Sequence, residues 1–260
     1  MTPNSMKQYA RTLRLSGLLS SLELRIQEAE SNRLPYGQFL ELVLQDEINV
    51  REQRTIARRN KAAAFRDTRS LEHFDFGFNP SISRAQIYGL AACHFIRQRR
   101  DVLFVGPPGV GKSHLAQAIG AEAIKAGFLV LYRSVFDLVR ELSAETTCGG
   151  ENRLLARYLK PDLMIIDDMG LKILPPKSGE ILLEIIMRRY ENRSTMMTSN
   201  RPIEDWGKLL SDVPAAGAIL DRLLHRAEVI AITGRSYRLQ ESAEERSRAK
   251  AHEKPAATSR

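Results

Sequence analysis

The feature that most restricts what this chain can fold into is a glycine loop set between two kinds of hydrophobic pattern. Gly106, Pro107, Pro108, Gly109, Val110, Gly111, Lys112 and Ser113 fit the spacing G-x-x-x-x-G-K-[ST]. Ahead of the loop, Asp101 to Val105 (DVLFV) is a short β-rich run. Behind it, Leu115, Ala118 and Ile119 fall at the three- and four-residue steps of a helix face. Strand, loop and helix in that order is the context that gives such a loop chemical meaning. The glycines let the backbone curl until successive N–H groups converge on one anion. The helix that follows turns its positive end to the same point. Lys112 has the reach for the outer phosphates of a nucleoside triphosphate, and Ser113 offers a hydroxyl to Mg²⁺. Residues 106 to 114, His114 included, are therefore the candidate nucleotide-binding segment.

From the loop onward, strand and helix patterns alternate, which predicts α/β architecture with a five-stranded parallel sheet covered on both faces. Strands are expected over 102–105, 129–132, 163–166, 195–198 and 228–232. Helices are expected over 112–126, 134–142, 179–191 and 215–226, with another over 84–97 before the first strand. Parallel sheets keep their chemistry at the C-terminal ends of the strands. LMIIDD ends there in two acids, Asp167 as a Mg²⁺ ligand and Asp168 as the group that polarises the attacking water. STMMTSN delivers Asn200 to the same edge, where it can orient water or γ-phosphate. Arg222 stands in an apolar helical run and is compatible with a surface position, a pairing with Asp221, or insertion into a neighbouring subunit's site. Arg238, after the last strand, is a second candidate phosphate sensor.

Residues 1–70 carry helical periodicity only. Leu15, Leu18, Leu19, Leu22 and Ile26 mark one stripe, and Phe39, Leu40, Val43, Leu44 and Ile48 mark another beyond the break at Pro35. Charge now becomes informative. The chain holds 39 Lys and Arg against 31 Asp and Glu, a net +8. Seven basic residues lie between Arg51 and Arg69, and Arg51, Arg54, Arg58 and Lys61 share one helical face, with Arg59 beside them. Such a stripe suits the phosphate backbone of double-stranded DNA; a solvated or protein-docking face is the alternative. Residues 71–83 read as a connector whose aromatics either cover an adenine edge or pack the linker, 84–240 as the ATPase domain, and 241–260 as a disordered tail. Two cysteines without metal spacing, no signal-peptide pattern and no apolar run of membrane-spanning length predict a cytoplasmic protein with no membrane partner.

Taken together, GPPGVGKSHLA, LMIIDDMG, RRYENRSTMMTSN, AAGAILDRLLHRAEVI and ITGRSYRL resemble one family, the IstB-like ATP-binding proteins. LPYGQFLELVLQDEI ahead of the arginine-rich helix extends the match to about residues 5–240. These are AAA+ helpers of insertion-sequence transposases, kin of the DnaC helicase loader and the DnaA initiator. The resemblance implies an AAA+ P-loop NTPase with ATP and Mg²⁺ as cofactors. It places Lys112 and Ser113 on phosphates and metal, Asp167 at the Walker-B position and Asp168 at the catalytic acid. Asn200 takes the place of sensor I, Arg222 of an arginine finger, and Arg238 of a sensor-II-like residue. It further implies ATP-dependent self-association on DNA, deformation of that DNA and recruitment of a cognate transposase. Bending the duplex costs on the order of 1–6 kcal/mol, which backbone contacts would have to offset. Asp168 stands where the wider AAA+ pattern has Glu, and too few residues follow Asn200 for a full helical lid. Both features predict slow hydrolysis, stimulated by DNA or partner. A DnaC-like helicase loader is the alternative, and a small-molecule kinase a more distant one.

Overall fold

The apolar runs form one parallel sheet from β1 (Asp101–Val105), β2 (Val130–Ser134), β3 (Leu163–Met169), β4 (Ser194–Ser199) and β5 (Ala227–Ala231). Their order across the sheet is β2-β3-β4-β1-β5. The structure is a computed structural model that describes residues 3–148, 151–237 and 239–240. Arg238 and the tail expected to be disordered lie outside the described residues. The chain divides into two compact units, Met1–Arg59 and Asn60–Arg260.

The first unit contains α1 (Pro3–Thr12), α2 (Ser16–Asn32) and most of α3 (Tyr36–Ala63). Arg33 ends α2 in the left-handed region, donating its N–H to Ala29, and Pro35 precedes the first turn of α3. The two helices meet closely at Gly17, where a Cβ would lie 2.6 Å from the Asp46 carbonyl. Glu47 uses that proximity: its buried carboxylate accepts the N–H groups of Gly17 (2.6 Å) and Leu18 (3.1 Å), so α3 supplies the N-terminal cap of α2. Arg25 adds a two-pronged pair with Asp46 at 2.8 and 2.9 Å.

In the second unit, α4 (Arg84–Ala91) and α5 (His94–Arg97) replace the single helix expected over 84–97. Cys93 interrupts it, turned into the left-handed region (φ 61°) with its thiol buried. Then come α6 (Lys112–Lys125), α7 (Val135–Cys148), α8 (Glu151–Leu159), α9 (Ser178–Arg189), α10 (Trp206–Leu210) and α11 (Val213–Arg226). Helices α8 and α10 were not anticipated. The second of them, five residues around the buried Trp206, is too short for periodicity to register.

Alternation along the strands sorts side chains to two layers. Leu103, Met164, Ile166 and Met197 face the cluster formed with α7 to α11, where Leu138, Ile185, Trp206 and Leu223 are buried. Val102, Phe104, Ile165 and Met196 are also fully buried, as are Leu115 and Ile119 of α6 and Ile87 of α4. No helix among the described residues is long and apolar enough to cross a membrane. After β5 the described residues turn helical at Tyr237, Leu239 and Gln240.

Candidate functional site

The glycine loop joins β1 to α6 and is held from several sides. Gly106 donates its N–H to Ser199 at the end of β4 (3.1 Å), Asn79 donates to the Val110 carbonyl (3.1 Å), and the Tyr237 N–H reaches the Gly109 carbonyl (3.0 Å). A side chain at Gly106 would put Cβ 2.1 Å from the Ile232 carbonyl oxygen, and Gly111 sits at φ +103° under the Phe74 ring. Both positions therefore require glycine, the first for close approach and the second for conformation. Lys112 opens α6 with its side chain buried. Its Nζ donates to the carbonyls of Gly106 (2.8 Å) and Pro107 (2.7 Å) and to Asn200 Oδ1 (2.8 Å).

That last bond follows from strand order. Because β4 lies between β1 and β3, the residue leaving β4 emerges between the loop and the two acids. Asn200 is that residue, and its own N–H is tied to the Met169 carbonyl at 2.7 Å.

The acids sit where the pairing of β3 with β4 slips between Ile166 and Met169. In a regular strand, Asp167 and Asp168 would point to opposite faces. Here the irregularity, with Asp168 at φ 68°, breaks the alternation, a device common beside reactive sites. Asp167 is fully buried and collects hydroxyl donors from three elements. Ser113 reaches Oδ1 at 2.8 Å, Tyr132 of β2 reaches Oδ2 at 2.5 Å, and Thr198 of β4 also donates to Oδ1. Burial first, then the charge of Asp167 and the bond to it, push the Tyr132 hydroxyl well above its ordinary range, so it stays a donor. Asp168 pairs instead with Arg66 at 2.7 Å.

His114 and Arg222 form no bond to this cluster among the described residues. The His114 ring turns away from the loop, with Nε2 3.0 Å from the Ser70 carbonyl and its edge against Phe74, leaving only its backbone on the phosphate side. Burial keeps the imidazole below its ordinary pKa. Arg222 Nη1 donates to Ala218 one turn back on α11 (3.0 Å), and among the described residues it pairs with neither acid nor Asp221. On α3, Arg51 is engaged by Glu47 and Arg54 by Ser16, whereas Arg58 and Lys61 are exposed and form no ion pair among the described residues. Arg59 is half-buried. The connector aromatics pack on one another and their neighbours: Phe74 on Phe76, Phe76 on Tyr88, and Phe78 on Tyr237.

The donor set fits the implied ligands. Backbone N–H groups at the head of α6 and the Lys112 ammonium suit a triphosphate, and Ser113 with Asp167 offers hard oxygens. No group of three or more His, Cys, Asp or Glu able to hold a metal occurs among the described residues. One carboxylate and one hydroxyl are nonetheless what Mg²⁺ ordinarily takes from a protein when phosphates and water complete its shell. Tyr132 and Thr198 are the site residues that sequence reading missed. Tyr132 looked like an ordinary strand residue, and only the β2–β3 register, pairing Ser134 with Asp167, brings its hydroxyl to the acid.

Comparison with known proteins shows the family and the fold. The family described as IstB-like ATP binding protein matches residues 8–245. A Geobacillus stearothermophilus protein, described as an ATP-binding protein of insertion sequence IS5376, is 35% identical over 234 residues, which cover 90% of this chain and 93% of its own. The crystal structure of the DnaC helicase loader superposes with a TM-score of 0.52 at 25% identity, over 67% of this chain and 98% of that one. AMPPCP-bound DnaA from Aquifex aeolicus shares the fold, with a TM-score of 0.54 at 20% identity, over 71% of this chain and 56% of its own. The chain is an AAA+ P-loop protein and belongs to the IstB-like ATP-binding family.

Proposed function

We propose that this protein is the ATP-hydrolysing helper of an insertion-sequence transposase, assembling on duplex DNA in its ATP-bound form, deforming it and recruiting the transposase to it. The observation that carries the hydrolytic half is the convergence of Lys112, Asn200, Asp167 and Asp168 at one edge of the sheet. Lys112 draws charge from the outer phosphates as Asn200 fixes the position of the γ-phosphate or the water. Ser113 and Asp167 would hold Mg²⁺, which would supply positive charge to the phosphates. Asp168 takes the proton of the water as its oxygen bonds to the γ-phosphorus, the bond to the bridging oxygen breaks, and ADP leaves. An Asp where the wider AAA+ pattern has Glu favours slow turnover that DNA or partner accelerates.

The DNA half rests on the exposed cations of α3 and on likeness to insertion-sequence ATP-binding proteins over almost the whole chain, N-terminal helices included. The likeness to DnaC favours a second reading, a helicase loader, for the ATPase unit.

Phosphate release by the full chain, with and without duplex DNA, tests the first half. Release should be slow alone, faster with duplex, and absent in Asp168→Ala. Capture from a mixture of cognate transposase and replicative helicase tests the second, and retention of the helicase alone would favour the loader. Replacing Arg58 and Lys61 by Ala should lower the salt slope of duplex binding by about 0.9 per lost phosphate contact.

A further inference from the structure

Residues 64–76 follow α3 directly and run as a strap over α6. Ala64 ends the helix at φ 56°, and Phe65 packs its ring beside Tyr132 and against Gly120, where a Cβ would lie 2.9 Å from it. Asp67 donates its N–H to Gln117 (3.1 Å), Ser70 meets His114 (3.0 Å), and Phe74 covers Gly111. Arg66 lies between the Phe65 and Asp67 anchors. Its Nη2 stands 2.7 Å from Asp168 Oδ2, with the Arg66 side chain 52% exposed and that of Asp168 14% exposed. The bond to Asp168, more than any other influence, raises the guanidinium above its ordinary pKa.

A carboxylate that must take a proton from water is hindered when a guanidinium occupies its lone pair. The same guanidinium has an open side toward solvent and belongs to the run of cations from Arg51 to Arg69. A phosphate arriving from that side offers Arg66 a second anionic partner of the kind its planar fork prefers. We infer that Arg66 is a latch on Asp168, closed by their ion pair and opened when the phosphates of a bound polyanion, duplex DNA, draw Arg66 away. This rests on the reading of Asp168 as the group that activates water, and it supplies that reading with a route from DNA contact to turnover. The strap is the physical link, since only Ala64 and Phe65 separate the end of α3 from Arg66.

The test is steady-state phosphate release by the full chain, with and without duplex DNA, for wild type, Arg66→Ala, Arg66→Lys and Arg69→Ala, with nucleotide affinity measured alongside. Arg66→Ala should raise kcat without duplex by about two- to fivefold, the scale of a partly exposed ion pair, while KM stays unchanged. It should also shrink duplex stimulation by the same factor. Arg66→Lys, which keeps the charge without the fork, should fall between. Arg69→Ala, which removes an equal charge from a residue paired with Asp67, should behave as wild type. A lower rate in Arg66→Ala, or duplex stimulation equal to wild type, overturns the latch alone. Normal nucleotide binding with no release by wild type in either condition overturns the hydrolytic reading and the latch together.

Discussion

Asn200 Oδ1 accepts a hydrogen bond from Lys112 Nζ at 2.8 Å, joining the residue that leaves β4 to the residue that opens α6. Eighty-eight positions apart in sequence, the two become neighbours because β4 pairs directly with β1. The bond gives the ammonium a fixed aim. A nucleotide's outer phosphates must then compete with Asn200 and two loop carbonyls for the same three donors.

Lys112→Ala should therefore weaken ATP affinity by about ten- to a hundredfold, the value of charge-assisted bonds to phosphate, with little loss of AMP affinity. Titration with a fluorescent nucleotide measures both, and an equal loss for AMP and ATP would point to a collapsed loop.

Tyr132→Phe removes one of three hydroxyl donors from the buried Asp167. The carboxylate loses a fixed orientation while keeping Ser113 and Thr198. Mg²⁺-dependent hydrolysis should drop by about tenfold, with metal-free nucleotide binding unaffected. A Mg²⁺ titration of phosphate release checks this, and an unchanged midpoint and plateau would show that Tyr132 serves packing only.

Arg222 donates to the Ala218 carbonyl and forms no ion pair among the described residues, and its proposed role is in a neighbouring subunit's site. Arg222→Ala should bind ATP normally and hydrolyse it about a thousandfold more slowly. Mixing it with a Lys112→Ala chain should restore activity at the junctions that join an intact loop to an intact arginine. Rates that stay at the single-variant level in the mixture would remove the role in trans.

Asp101 sets a pH dependence at the other end of β1. Burial raises its carboxyl to about 6, although the Thr195 N–H at 2.6 Å and the charges of Arg189 and Arg226 pull the other way. The folded protein thus binds this proton more tightly than the unfolded chain. The contribution to stability is full below the ordinary carboxylate pKa and is lost as pH rises through about 6. At about pH 7.5 the ionised group costs up to about 3 kcal/mol. Asp101→Asn keeps an acceptor for Thr195, so it should be the more stable protein there, with the difference vanishing near pH 4 in urea unfolding.

Much of this architecture was legible in the chain because its signals were local. The strand before Gly106, the helix after it and the apolar run ending in Asp167 each announce themselves within ten residues. What escaped depends on partners distant in sequence. Tyr132 matters only through the register of β2 on β3. Arg189 reads as a basic helix end, yet it is buried, its guanidinium holding the carbonyls of Tyr158, Pro161 and Ser194 where strands β3 and β4 begin. His114 looked like part of the phosphate segment, but a helix turns successive side chains about 100° apart and aims this one at Ser70. The break at Cys93 left no mark, since neither Gly nor Pro stands there.

Electron microscopy of the full chain with duplex DNA tests whether nucleotide at Lys112 governs assembly on DNA. With ATP and Mg²⁺, multisubunit assemblies that bend the duplex are expected, absent with ADP and absent for Lys112→Ala. Straight, uncoated duplex in the presence of ATP, or identical coating by Lys112→Ala, would contradict it.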